Sequence, residues 1–250
     1  MHLMKLAIAA YDNGDSATAA ILYREAADQC YALAQFNLGT MYANGDGVPQ
    51  DYAAAMLWYR KAAGQGDANA QNNLGTMYAN GQGVPQDYAA AVSWYRKAAD
   101  QGYAGAQSNL GFMYNNGWGV PQDCAAAMSW YRKAADQGYA GAQFNIGSMY
   151  VTGEGVPQDD AAAVSWYRKA ADQGYARAQS NLGSMYDNAR GVPQDYVQAH
   201  KWWTLAAAHF DASEKDRRDV AVKNRALVTA RMTPAQLAEA QKLAREWKPK

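Results

Sequence analysis

Residues 70–105 read AQNNLGTMYANGQGVPQDYAAAVSWYRKAADQGYAG, and this stretch decides the fold. Near-copies begin at Ala34, Ala106, Ala142 and Ala178, so five units follow one another with a period of 36 residues. A fixed period of that length marks a stacked array of small units. Within the unit, Ala70, Leu74, Met77 and Tyr78 fall at i, i+4, i+7 and i+8, which predicts a helix over Ala70 to Ala79. Asn80-Gly81 supplies a helix stop, because glycine accepts the left-handed conformation. Val84-Pro85 bars helix in the loop. Asp87 then suits an N-cap, opening a second helix over Tyr88 to Ala99 with Ala91, Tyr95, Ala98 and Ala99 on one face. Arg96 and Lys97 lie in its last turns, where cations complement the helix dipole.

Helices this short are marginal alone in water. Each hairpin must therefore bury its apolar face against the next, as in a solenoid. Gly75, repeated at Gly39, Gly111, Gly147 and Gly183, weakens its helix by about 1 kcal/mol relative to alanine. The expected gain is close approach of the Ala-rich partner helix.

The phrases A-Q-x-N-[LI]-G-x-M-Y, G-V-P-Q-D and W-Y-R-K-A-A resemble Sel1-like repeats, relatives of the tetratricopeptide repeat. The resemblance implies an all-α fold, a right-handed α/α superhelical solenoid that binds other proteins, often in bacterial envelope or signalling assemblies. It slightly favours a bacterial periplasmic or secreted location over a cytoplasmic one. The expected organisation is a degenerate capping hairpin over 1–33, five repeats over 34–69, 70–105, 106–141, 142–177 and 178–211, and capping helices over 212–250. In the first of these, Ala19, Tyr23, Ala26 and Ala27 match Ala91, Tyr95, Ala98 and Ala99, but the turn Asp12-Asn13-Gly14-Asp15 is short.

The chain carries 23 basic and 23 acidic side chains, which argues against nucleic acid or an anionic membrane as the main partner. No apolar run approaches the ~20 residues of a membrane-spanning helix. Residues 1–11 lack the apolar core and cleavage site of a signal peptide. Cys30 and Cys124 occupy different places in the unit and read as unpaired thiols. Some secreted Sel1-like proteins carry a cysteine pair in each repeat; this chain does not, so properties tied to those disulfides do not transfer.

Comparing the five copies separates fixed from varied positions. Three varied positions lie at i, i+4 and i+7 of the first helix and so form one stripe: Phe36, Asn72, Ser108, Phe144 and Ser180; Thr40, Thr76, Phe112, Ser148 and Ser184; Ala43, Ala79, Asn115, Val151 and Asp187. The residue preceding each unit also varies, from Leu33 to Arg177. In the related tetratricopeptide fold these positions line the concave groove; drift of any exposed face is the alternative. Beside the stripe stand Asn37, Asn73, Asn109, Asn145 and Asn181, unchanged in every copy. Asparagine is a mediocre helix former. Either its amide bonds the neighbouring repeat's backbone, or the five form a ladder that holds an extended peptide. Phe36, Phe112 and Phe144 suggest apolar anchors on the groove floor, with Asn115 and Arg177 as further contacts. Trp118, where other loops carry Asp46, Gln82, Glu154 and Arg190, reads either as a contact or as packing on the adjacent loop, the second being favoured.

The fifth repeat departs. Ala189 replaces the helix-stopping glycine, so its loop is expected to rearrange. Thr204 and Leu205 replace the usual Arg-Lys, an exposed face turned apolar that the tail is expected to cover. Ser213 with Asp216 resembles a capping box, and Thr233-Pro234 reads as a clean helix start.

No catalytic constellation stands out. His200 and His209 lie on different faces of one helix and make no metal pair; His200 reads as a core histidine. There is no nucleophile elbow and no phosphate-binding loop, and no cofactor or metal is implied. The reading that follows is a non-catalytic, monomeric scaffold that binds a protein or extended peptide. A bacterial envelope module binding cell-wall glycan or peptide fragments is the alternative, and a β-lactam hydrolase the remote one.

Overall fold

The computed structural model describes residues 2–249 in two compact units, one on each side of the Asp123–Cys124 bond. The first unit holds α1 (His2–Asp12), α2 (Ser16–Asp28), α3 (Ala32–Asn44), α4 (Tyr52–Gly64), α5 (Ala68–Asn80), α6 (Tyr88–Asp100) and α7 (Ala104–Asn116). The second holds α8 (Cys124–Asp136), α9 (Ala140–Thr152), α10 (Asp160–Asp172), α11 (Ala176–Asp187), α12 (Tyr196–His209), α13 (Lys215–Thr229) and α14 (Pro234–Glu246), with a 3₁₀ turn at Ala212–Glu214. The described residues contain no strand, and the chain is all-α. In the first unit every helix packs against the next in the chain, and in the second α8 to α13 do the same while α14 packs on α12, so the hairpins stack.

Most helix starts and stops follow the sequence signals. The second helices open as expected: Asp51, Asp87, Asp159 and Asp195 each accept the backbone N–H three residues on, at 2.9–3.0 Å. The first helices open two residues earlier than expected. Asp67 caps α5 by accepting from the Ala70 N–H at 2.8 Å, while Tyr31, Tyr103, Tyr139 and Tyr175 hold the same place without a side-chain cap. Leu33, Asn69, Gly105, Gly141 and Arg177 therefore lie inside the first turn rather than before it.

Ala189 does not rearrange its loop. It keeps the left-handed conformation, at φ +54°, that Gly45 and Gly81 hold at +83° and +67°. The backbone bond from Asp195 to the Tyr186 carbonyl, 3.1 Å, reproduces that from Asp51 to Tyr42, 2.9 Å. Cys30 is the second such case: at φ +64° it stands where later repeats place Gly66 and Gly102.

Close packing at the helical glycines also differs in its cause from the expectation. A Cβ on Gly75 would stand 2.6 Å from the ring carbons of Tyr95, and one on Gly39 would stand 2.8 Å from those of Tyr59. The missing side chain makes room for a tyrosine ring, not for the alanine face. Each ring is buried, and its hydroxyl crosses to the first helix: Tyr59 meets Thr40, Tyr95 meets Thr76 and Tyr167 meets Ser148, all at 3.1 Å. In the fifth repeat Trp203 takes this place over Gly183, and its indole Nε1 is buried with no hydrogen-bond partner among the described residues.

Neighbouring repeats are joined by polar bonds that the sequence reading passed over. The buried Gln of A-Q-x-N donates to the end of the preceding second helix: Gln35 to the Ala27 carbonyl at 3.0 Å, Gln71 to Ala63 at 3.2 Å, Gln179 to Ala171 at 3.0 Å. Its Oε1 accepts from the Gln that closes its own repeat, Gln65 to Gln35 at 2.8 Å and Gln101 to Gln71 at 2.7 Å. His209 replaces that second Gln in the last repeat and lies 2.8 Å from Gln179 Oε1. Arginines of the second helices add further ties: Arg60 donates to the Tyr78 hydroxyl at 2.7 Å, and Arg24 pairs likewise with Tyr42.

The tail covers α12, as the apolar Leu205 led us to expect: α13 and α14 both pack on it, and Trp247 lies 5.1 Å from His209, ring to ring. Ser213 and Asp216 form no capping box. Asp211 takes that role instead, accepting from the Ser213 and Glu214 N–H groups at 2.8 and 3.1 Å. Thr233 does cap α14, in a reciprocal pair with Gln236.

Candidate functional site: a row of cavities beside the asparagine ladder

The five asparagines are all half-buried on the first helices. Asn37, Asn73 and Asn181 each lie within hydrogen-bonding reach of the tyrosine hydroxyl of the preceding hairpin, Tyr23, Tyr59 and Tyr167 respectively. Burial raises the pKa of Tyr59, Tyr95 and Tyr167, so these phenols stay neutral. Asn109 differs: its Nδ2 donates to Asn72 Oδ1 at 3.0 Å, a direct link between α7 and α5. Its own Oδ1 has no donor among the described residues. An amide offers a donor and an acceptor, so an intramolecular bond engages only one end.

In the first unit this arrangement opens three cavities. One of about 180 Å³ is lined by Tyr23, Phe36, Asn37 and Thr40. The next, about 260 Å³, is lined by Thr40, Tyr59, Asn73 and Thr76. The third, about 430 Å³, is lined by Thr76, Tyr95, Asn109, Phe112 and Trp118. Each has a ladder asparagine and the tyrosine of the preceding second helix in its wall. In the second unit a cavity of about 320 Å³ is bounded by Phe144, Arg177, Ser180, Asn181, Phe210 and Arg217.

The structure brings some of the expected contacts together and separates others. Phe36 and Phe144 are half-buried, their rings 5.9 and 5.5 Å from Tyr59 and Tyr167. Phe112 is exposed beside Asn109, in the third cavity. Asn115 lies outside that cavity's wall, its backbone carbonyl accepting from Gln122 at 2.8 Å. Asn145 is half-buried on α9. Arg177 is engaged within the chain, donating to Glu214 at 2.7 Å. Trp118 packs on the adjacent repeat, stacking at 4.9 Å on Tyr88, which directly follows that repeat's loop, and it meets the Phe112 ring edge-on at 5.3 Å. The buried tyrosines were the contributors the sequence reading missed. Their signal was a Tyr three residues after each variable Ala, Val or Met of the second helix, read there as core alone.

Among the described residues no group of three or more His, Cys, Asp or Glu side chains could hold a metal ion. Cys30 and Cys124 are free thiols. His200 is buried, with Thr204 Oγ1 3.5 Å from its Nδ1.

A family model described as the Sel1 repeat matches residues 32–67, 68–103, 104–139, 140–175 and 176–209. The chain belongs to the Sel1 repeat family. Among solved Sel1 structures, the Sel1 repeat protein from Oxalobacter formigenes is 37% identical, with a TM-score of 0.77 over 82% of this chain and 86% of that one. A protective antigen present in uropathogenic Escherichia coli strains is 31% identical, with a TM-score of 0.58 over 98% of this chain. This chain spans 60% of the antigen's length. An immunity protein from Pseudomonas aeruginosa shares the fold at 22% identity and a TM-score of 0.59, over 81% of each chain. No curated protein matches the sequence. No helix of the described residues is long and apolar enough to cross a membrane.

Proposed function

We propose that this Sel1 repeat protein is a non-catalytic interaction module that holds an extended segment of a protein partner against its first helices. One observation carries the reading: three cavities in the first unit, each walled by a ladder asparagine and a buried tyrosine. Repeated amides at one register suit a ligand that repeats its own donors and acceptors, as a peptide backbone does. The residues around them vary from copy to copy, as side-chain selection along such a ligand requires. The free Oδ1 of Asn109 is available to a backbone N–H.

The test is a selection from a library of extended peptides about 9 residues long, roughly 30 Å at ~3.3 Å per residue, enough to cover the three cavities of the first unit. Selected peptides are then titrated against Asn73→Ala and Asn109→Ala, with circular dichroism to confirm the fold. Loss of one hydrogen bond to a peptide predicts roughly a five- to tenfold weaker Kd per substitution. Unchanged affinity in folded variants rejects the groove.

A further inference from the structure

We infer that the cavity between the second and third repeats seats a proline-bearing segment in the polyproline II conformation. This rests on the groove reading above and names the chemistry of its partner.

Two changes mark the place. At the seventh first-helix position the repeats carry Thr40, Thr76, Phe112, Ser148 and Ser184; at the loop position they carry Asp46, Gln82, Trp118, Glu154 and Arg190. Both turn aromatic in the third repeat and in no other. Their rings touch, and Tyr88 stacks on the indole, 26° from parallel. Phe112 remains 42% exposed and Trp118 40% exposed. The fold asks for neither ring, since four other repeats close the same loop with Asp, Gln, Glu or Arg. Grouped aromatic surface left in water points to something that covers it.

The wall decides what that is. No Asp, Glu, Lys or Arg lines this 430 Å³ cavity. The cavity at Phe144, by contrast, is bordered by Arg177, Asp216 and Arg217. An uncharged wall suits an uncharged occupant, because an ionised group entering it would lose water without gaining a partner. Around the rings stand the amides of Asn80, Gln86 and Asn109 and the hydroxyl of Thr76. Aromatic faces interleaved with neutral hydrogen-bonding groups match proline-rich segments, whose preformed helix binds at little ordering cost.

Pitch supports the same occupant. A polyproline II helix turns once in three residues, about 9.3 Å. Packed helices lie about 8–10 Å apart, and the Asn109–Asn72 bond makes α5 and α7 direct neighbours. One face of such a ligand therefore returns to the same register at each successive repeat. A single sugar ring would use one cavity and leave the other two of the first unit without a role.

Trp118 provides the readout, through its fluorescence and through isothermal titration. The probes are a peptide of about 12 residues with proline at every third position, the same peptide with alanine for proline, and a neutral hexasaccharide. The variants are Phe112→Thr and Trp118→Gln, which restore the second repeat's own residues and so keep a side chain the fold already accepts. The expected result is binding of the proline peptide, weakened roughly tenfold or more both by alanine in the peptide and by the paired variant. Equal binding of the alanine peptide, or proline binding unmoved by the variants, overturns the inference. So does hexasaccharide binding that the variants abolish while the proline peptide is silent. If library peptides without proline bind and depend on Asn109 but not on Trp118, the groove stands and this inference fails. If no peptide of any kind binds, both fall.

Discussion

Substituting Gly75 by alanine tests the packing that builds the groove floor. In an open helix the change would stabilise by about 1 kcal/mol. Here the new Cβ would lie 2.6 Å from Tyr95 Cδ1 and Cε1, well inside contact distance. The ring cannot move freely, because it is buried and its hydroxyl is tied to Thr76 at 3.1 Å. Overpacking of this kind typically loses about 1–3 kcal/mol, and breaking the phenol's bond adds about 1. The net expectation is a loss of about 1–3 kcal/mol. At a urea slope near 2 kcal/mol/M, the midpoint should fall by about 0.5–1.5 M. Circular dichroism measures that midpoint, and hydrogen exchange in α5 and α6 localises the loss. Gly64→Ala is the internal control: it ends α4 with nothing within 4 Å of the new methyl, so it should gain a few tenths to about 1 kcal/mol. A double-mutant cycle decides the cause. With Tyr95→Leu in place, Gly75→Ala should become neutral or stabilising. An equal loss in that background would refute the steric argument.

Ala189→Gly and Cys30→Gly should each stabilise by up to about 1 kcal/mol in thermal melts, since both residues hold φ values of +54° and +64° that glycine adopts without strain. Gln71→Ala should destabilise by about 1–3 kcal/mol in denaturant titrations, because it removes a buried side chain together with its bonds to the Ala63 carbonyl and from the Gln101 amide. Acid should weaken the second unit. Burial lowers the pKa of His200 and of His209 below the ordinary 6.5, with Arg225 adding to the effect at His200. The unfolded chain then binds more protons than the folded one, so this stability is complete above pH 6.5 and is lost as pH falls from there through the depressed folded values. Melts from pH 7.5 down to 5, with His200→Gln as comparison, should show a shallower slope in the variant.

The hairpins were legible because their signals are local: a capping Asp, a stopping Gly and a barring Pro act within a few residues. What the sequence concealed was nearly all between elements. The early start of the first helices escaped notice because tyrosine at Tyr31 or Tyr103 supplies no capping oxygen. Gly75 was visibly anomalous, but its partner ring sits twenty residues on, and period alone could not tell a tyrosine from an alanine face. The fixed asparagine drew attention while the fixed glutamine beside it did not, although the glutamine is the more buried of the two. Asp211 outcompeted Ser213 as a cap because its carboxylate reaches two N–H groups at once. Strain at Ala189 was correctly located and its outcome misjudged: bonds on both sides of the loop hold the residue in place.

The glutamine chain has an evolutionary corollary. Each hairpin offers its successor the same carbonyl and the same amide, so any copy can mate with any other. A thirty-six-residue block could be duplicated or excised at a boundary and the cut edges would still find their partners. Selection can thus change how many rungs the array has without redesigning any seam, and a lone aromatic pair such as Phe112 and Trp118 can arise in one rung while the rest stay generic.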